Sequence, residues 1–136
     1  MIIRFPSDEW VKAAMEQVND SPDYAQAAAS WEGDITFVVT AVPGDRKEVV
    51  LYMDLWHGEC REAYEVADPA AQKSEFTIAA PLPVWRKVLE GQLDPIRGLV
   101  SRQLKLKGNM MKVMKAPKAA VELVNSCQKV DTEWPE

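Results

Sequence analysis

The period of the apolar residues constrains this chain more than any other property, and between Leu82 and Met114 it changes repeatedly within a short span. Trp85, Val88 and Leu89 recur at three- and four-residue intervals, Pro83 fits a first helical turn, and Gly91 stands where a helix C-terminus takes a positive φ. A helix is therefore expected over Pro83 to Leu89. Asp94-Pro95 opens a second short element. From Gln103 to Gly108 the period drops to two, with Leu104 and Leu106 on one side and Gln103, Lys105 and Lys107 on the other, the pattern of a strand with one wet face. Gly108-Asn109 breaks it, and a Met-rich segment follows.

The rest of the chain reads in the same terms. Ser7 supplies an N-cap, and Asp8 and Glu9 first-turn acids, for a helix whose stripe is Trp10, Val11, Ala14, Met15 and Val18. Asn19-Asp20 ends it. Ser21-Pro22-Asp23 starts a second helix, expected to run through the Ala-rich stretch to Gly33. At Asp34 the period becomes two: Ile35, Phe37, Val39 and Ala41 share one face of a strand, and Thr36, Val38, Thr40 and Val42 the other. A Pro43-Gly44-Asp45 turn leads to a second strand over Glu48 to Trp56, His57-Gly58 is a hairpin turn, and Glu59 to Val66 returns as a third strand. Asp68 to Ala71 is a loop or helical turn, Phe76, Ile78 and Ala80 mark a fourth strand, and the Leu-Lys segment is the fifth. Pro117 begins a last helix with the stripe Ala120, Leu123, Val124 and Cys127, and the tail Asp131 to Glu136 is expected to be loose, with Trp134 available to dock. Helices at both ends of a five-stranded, mostly antiparallel sheet make an α+β fold in two layers, and 136 residues make a single domain over 1–136.

Two blocks near the centre of this pattern, W-x-x-V-L-x-G-x-L-D-P from Trp85 to Pro95 and L-K-L-K-G-N-M from Leu104 to Met110, resemble the signature of the sterol carrier protein 2 (SCP-2) family of lipid-binding domains. Where that family often has Gly before the Leu-Lys strand, this chain has Gln103. The resemblance implies the SCP-2-like fold and a lipid tunnel covered by the final strand and the C-terminal helices. It places Trp85, Leu89, Ile96, Val100, Leu104, Leu106, Met110, Met111, Met114 and Leu123 along the ligand-binding wall. The residues themselves allow a second reading of this apolar set, which is that it fills a sealed core. Thioethers are flexible and polarisable, which suits either role. The expected partner is an apolar lipid such as a fatty acid, a sterol or an acyl-CoA-like molecule, with no cofactor. Burying about sixteen methylenes yields roughly 13 kcal/mol gross, enough for micromolar binding after association costs. An empty void of ~300 Å³ would cost about 7 kcal/mol, so a pocket that is collapsed, water-filled or occupied by co-purified lipid is expected.

Charge and composition exclude other classes. No apolar run reaches the length of a membrane span, and Met1 to Trp10 lacks the pattern of a secretory signal. A cytoplasmic location is expected; the C-terminus, without a Ser-Lys-Leu address, points to a prokaryotic setting. Cys60 and Cys127 have neither metal spacing nor a disulfide framework. The net charge of −5 conceals an asymmetry: residues 1–85 carry 6 basic and 15 acidic side chains, residues 86–129 carry 10 and 3. The basic segment suits a solvated face or an anionic membrane surface, and without interleaved aromatics it does not suit nucleic acid.

A catalytic constellation is not legible. His57 is the single histidine and sits in a turn; there is no nucleophile elbow, phosphate loop or metal cluster. The first reading is thus non-enzymatic lipid binding or transfer. The alternatives are an interaction or dimerisation module of the same fold, pairing as a homodimer around Trp31 or Trp134, and a small enzyme in which Asp54, Glu62 or His57 converge on an apolar pocket.

Overall fold

A computed structural model describes residues 2–44 and 47–135. Asp45 of the expected turn and Glu136 of the tail lie outside the described residues. Strand β1 (Ile3–Arg4) leads into helix α1 (Asp8–Asn19), where the Ser7 hydroxyl accepts the Trp10 N–H at 3.0 Å and the stripe Trp10, Val11, Ala14 and Val18 is buried. Asp8 does more than stabilise the first turn. Its carboxylate takes the Lys12 ammonium at 2.6 Å and the Glu65 N–H at 2.8 Å, contacts that hold its pKa below the usual range.

Helix α2 (Pro22–Ala27) starts as expected, with Ser21 capping Tyr24, but stops six residues short of Gly33. The Ala-rich stretch favours helix, yet the sheet claims the backbone that follows it: the Trp31 carbonyl accepts the His57 N–H at 2.7 Å, and Gly33 pairs with Leu55. Tertiary pairing therefore overrides local propensity here.

The main sheet is formed by β2 (Glu32–Thr40), β3 (Val49–Trp56), β4 (Glu59–Glu65), β5 (Phe76–Pro81) and β6 (Lys105–Lys107), ordered β4-β3-β2-β5-β6. β2 and β5 run parallel and the other pairings are antiparallel. Register puts Ile35 opposite Met53 and Phe76, and Phe37 opposite Leu51 and Ile78, so one face of three strands is apolar. All helices contribute to the core on that face. The connection from β4 to β5 crosses the opposite face, where Val66 joins Val50 and Tyr52 in a small second cluster and Ser74 meets Thr36 at 2.8 Å. β6 is shorter than the sequence pattern suggests. Its ladder spans only Thr77↔Lys107 to Ala79↔Lys105, because Arg102 (φ 64) bends the chain out of strand geometry just before Gln103.

Helix α3 (Leu82–Leu89) is closed by Gly91 (φ 79), and α4 (Pro95–Val100) is capped by Asp94, which accepts from Ile96 and Arg97. After β6 come α5 (Met110–Met114), capped by Asn109, and α6 (Pro117–Cys127). The tail is not loose. β7 (Thr132–Glu133) pairs in parallel with β1, Thr132 accepts the Trp10 indole N–H at 2.9 Å, and Trp134 lies 5.1 Å from Phe5 and beneath Arg86.

The β3–β4 hairpin shows how little tolerance the frame has. Both central residues, His57 (φ 49) and Gly58 (φ 82), are left-handed, as a type I′ turn requires, and a Cβ on Gly58 would come within 2.7 Å of the Ala25 carbonyl oxygen. Gly58→Ala is expected to lower the unfolding free energy by at least about 2 kcal/mol in urea denaturation, combining left-handed strain with a backbone clash. A loss under about 0.5 kcal/mol would show that α2 does not press on this turn.

Candidate functional site

Between the apolar sheet face and the helices lies a cavity of about 90 Å³. Ile35, Phe37, Phe76 and Ile78 form its floor; Pro95 and Leu99 of α4, Leu104, and Val113 of α5 form one side; Ala116 and Ala119, Ala120, Leu123 and Val124 of α6 close the roof. A second cavity of about 60 Å³ continues towards Trp10, Leu51, Met53 and Cys127. Phe37, Trp85, Val88, Leu123 and Val124 line both cavities and stand between them. Trp85 is fixed in this shared wall from two directions. Its indole N–H donates to the Val38 carbonyl at 3.1 Å, and its ring meets Phe37 edge-on at 5.8 Å.

The walls are apolar throughout, apart from ring N–H groups and the Tyr24 hydroxyl, whose burial raises its pKa well above the ordinary phenol value. Together the chambers hold about 150 Å³, the size of an engineered cavity that admits benzene. The ~300 Å³ void considered from sequence is thus half closed. A long chain fits only if the helical roof moves outward.

Of the ten wall residues proposed from sequence, Trp85, Leu104 and Leu123 line the larger chamber and Leu89 the smaller. Leu106 and Met114 are half-buried and pack against the core without lining either. Ile96 packs half-buried against the core, and with Val100 it borders a separate surface groove along α4. Val100, Met111 and Met110 are 68%, 66% and 38% exposed, so these three face away from the cavity. The reason is helical phase: Val113 and Leu99 take the inward positions on their short helices and leave Met110, Met111 and Val100 outside. Gly98 contributes by omission, since a Cβ there would meet Leu104 at 2.9 Å.

Residues of the first half were missed as wall. Tyr24, Trp31, Ile35, Phe37 and Phe76 all line the larger chamber, and the period-two pattern had already put Ile35 and Phe37 on one face. Trp31, considered for a dimer face, stacks on Phe76 at 5.4 Å. The polar trio does not converge on the cavity. His57 bonds Glu32 at 2.6 Å on the surface, while Asp54 pairs across the sheet with Glu62 and holds the Arg61 guanidinium through both carboxylate oxygens. Among the described residues no His, Cys, Asp and Glu cluster could hold a metal ion, and no helix is long and apolar enough to cross a membrane.

Residues 11–120 match the SCP-2 sterol transfer family. The chain belongs to that family. Solved structures agree: a crystal structure of sterol carrier protein 2 is 34% identical, covering 91% of this chain and 97% of that one at a TM-score of 0.78. A conserved hypothetical protein from Thermus thermophilus, described as possibly a sterol carrier protein, is 36% identical over 92% of this chain and 88% of that one, with a TM-score of 0.79. Sterol carrier protein 2 from Yarrowia lipolytica in its apo form shares the fold at 17% identity, 87% and 88% coverage and a TM-score of 0.59. A search of curated proteins finds no match to the chain.

The cysteines of this SCP-2 member report on the closure of its core. Both are free and buried, and desolvation pushes each thiol up to about 12. At pH 7 the thiolate is then roughly one part in 10⁵ of each thiol. Native protein is expected to react with a thiol reagent at least a hundredfold more slowly than urea-unfolded protein. Raised folded pKa values also favour the native state below pH 9, an advantage lost between pH 9 and about 12 as the unfolded thiols ionise. Fast native labelling of Cys127, measured by mass spectrometry, would show the smaller chamber to be open to solvent.

Proposed function

We propose that this SCP-2 member is a non-enzymatic carrier that takes one flexible acyl chain, free or as part of a larger lipid, into the paired cavities under α6. The observation that carries the reading is the shape and chemistry of the site: two small, adjacent apolar chambers with Trp85 and Phe37 in their shared wall. A flexible chain, which can turn at each methylene, adapts to such divided space better than a rigid fused-ring sterol. Membership of the family supports lipid as the ligand class. The absence of a converging nucleophile, acid or base around the cavity favours binding over chemistry. Buried free thiols suit a reducing, cytoplasmic setting.

Binding requires the roof to yield. Each methylene transferred from water supplies about 0.8 kcal/mol, so a few buried carbons already offset the work of separating α6 from the sheet. The floor strands are long and paired on both sides, whereas α4 and α5 have only six and five residues. Expansion should therefore be carried by the helical side.

Native mass spectrometry before and after delipidation tests the reading directly. A lipid-mass adduct lost on extraction is expected, and palmitate at a hundredfold excess over Kd should stabilise the delipidated protein by about 2.7 kcal/mol, a rise of roughly 8 °C in Tm. Leu123→Trp, at a position that lines both chambers, should abolish the shift while leaving the sheet intact by circular dichroism. An unshifted mass and Tm with palmitate, lysophospholipid and cholesterol alike would overturn the proposal.

A further inference from the structure

Three side chains in the lining of the larger chamber carry a polar atom: Tyr24, Trp31 and Trp85. Both indoles are spent, Trp31 donating to the Gly33 carbonyl at 2.9 Å and Trp85 to the Val38 carbonyl at 3.1 Å. The Tyr24 hydroxyl makes no hydrogen bond to any described residue, although the residue is only 1% exposed. Burial raises its pKa and the thiols of Cys60 and Cys127 raise it further, yet neither thiol bonds it, and Cys60 donates instead to the Glu62 carbonyl at 3.4 Å. No buried side-chain N or O atom among the described residues is both sealed and unpartnered, so the Tyr24 oxygen keeps accessible surface, and the space this ring lines is the chamber.

The ring is fixed by its backbone. Tyr24 stands in the first turn of α2, where the Ser21 hydroxyl accepts its N–H at 3.1 Å and its own carbonyl accepts the Ala28 N–H at 2.8 Å, while Ala25 leaves no room for a Cβ on Gly58 of the hairpin. A phenylalanine would fill the same space, whereas a buried hydroxyl left unpaired disfavours the folded state by about tenfold. Water is a poor remedy. Held in an apolar cavity it needs about two to four polar partners, and the lining side chains offer one. No Lys, Arg or His lines either chamber, so an ionised carboxylate brought to Tyr24 would be buried without a counter-charge. The phenol stays protonated at neutral pH and is a donor. Its matching partner is a neutral acceptor.

We propose that Tyr24 is a specificity-determining residue of the carrier site, donating a hydrogen bond to a neutral oxygen that the bound chain brings into the larger chamber. This rests on the lipid-carrier reading and deepens it. The preferred cargo is an acyl chain with a ketone or hydroxyl along its length, or one whose neutral head, such as a primary alcohol, enters first; any charged end stays outside. A plain chain such as palmitate still binds but leaves the donor unpaired, and a site with a fixed buried donor discriminates against the analogue that cannot engage it.

Displacement of a fluorescent fatty acid from the delipidated full chain tests this, comparing stearate, oxostearates with the ketone at successive even carbons, and 1-octadecanol on wild type and Tyr24→Phe. At least one oxygenated chain is expected to bind wild type about tenfold tighter than stearate. A favoured oxostearate marks an oxygen along the chain, and favoured 1-octadecanol marks head-first entry. Tyr24→Phe should bring the ratio below twofold, leave stearate affinity equal or tighter, and keep the wild-type circular dichroism. A favoured oxostearate should also show its carbonyl stretch moved to lower frequency on wild type but not on Tyr24→Phe, a readout that a merely structural tyrosine would not move. Stearate binding with no oxygenated chain favoured by more than twofold, or a preference that survives in Tyr24→Phe, would overturn the role of Tyr24 and leave the carrier reading standing. Binding of no chain to either protein would overturn both.

Discussion

Packing the helices on one face of the sheet forces the inward side chains of β2, β3 and β5 into a single space, and that space is incompletely filled. Leaving about 150 Å³ empty costs on the order of 4 kcal/mol, a large part of a small domain's stability. The frame tolerates this because its margins are tied by directional contacts. Asp8 joins α1 to β4, Trp85 joins α3 to β2, and the β1–β7 pair with the Trp10–Thr132 hydrogen bond secures the chain ends. Apolar pressure alone would collapse the core. These hydrogen bonds fix where the helices and chain ends meet the sheet and one another.

Much of this frame was legible in the sequence because it follows from local chemistry. Ser7, Ser21, Asp94 and Asn109 cap the helices they precede, and strict alternation in β2 and β3 assigned the inward face. The parts that were not legible depend on contacts distant in sequence. The early end of α2 is imposed by the hairpin at His57, and the docking of the tail by Phe5 and Trp10. The cavity was legible only in part for a related reason. Emphasis on Met110, Met111 and Val100 followed side-chain character, whereas the wall is decided by helical phase, which gives the inward positions to Val113 and Leu99.

The sheet separates two environments. The inner side of its three central strands is apolar, while its outer face carries Asp34 bonded to Tyr52, the Asp54–Arg61 pair and Arg61 stacked 4.7 Å from Trp56. Chemistry by charged groups, if sought on this chain, would be sought away from the cavity. Charge is also unevenly divided along the chain, acidic before Arg86 and basic after Asp94.

The room under α6 comes from small side chains. Ala116, Ala119 and Ala120 are spaced to lie along one line of the roof, and each contributes space by having no atoms beyond Cβ. The row works as a ruler. Under the proposed carrier function, a larger side chain at one of these positions shortens the chain that fits and leaves the caps, strand register and rim hydrogen bonds in place. A scaffold of this kind can change the length of its cargo without altering its fold.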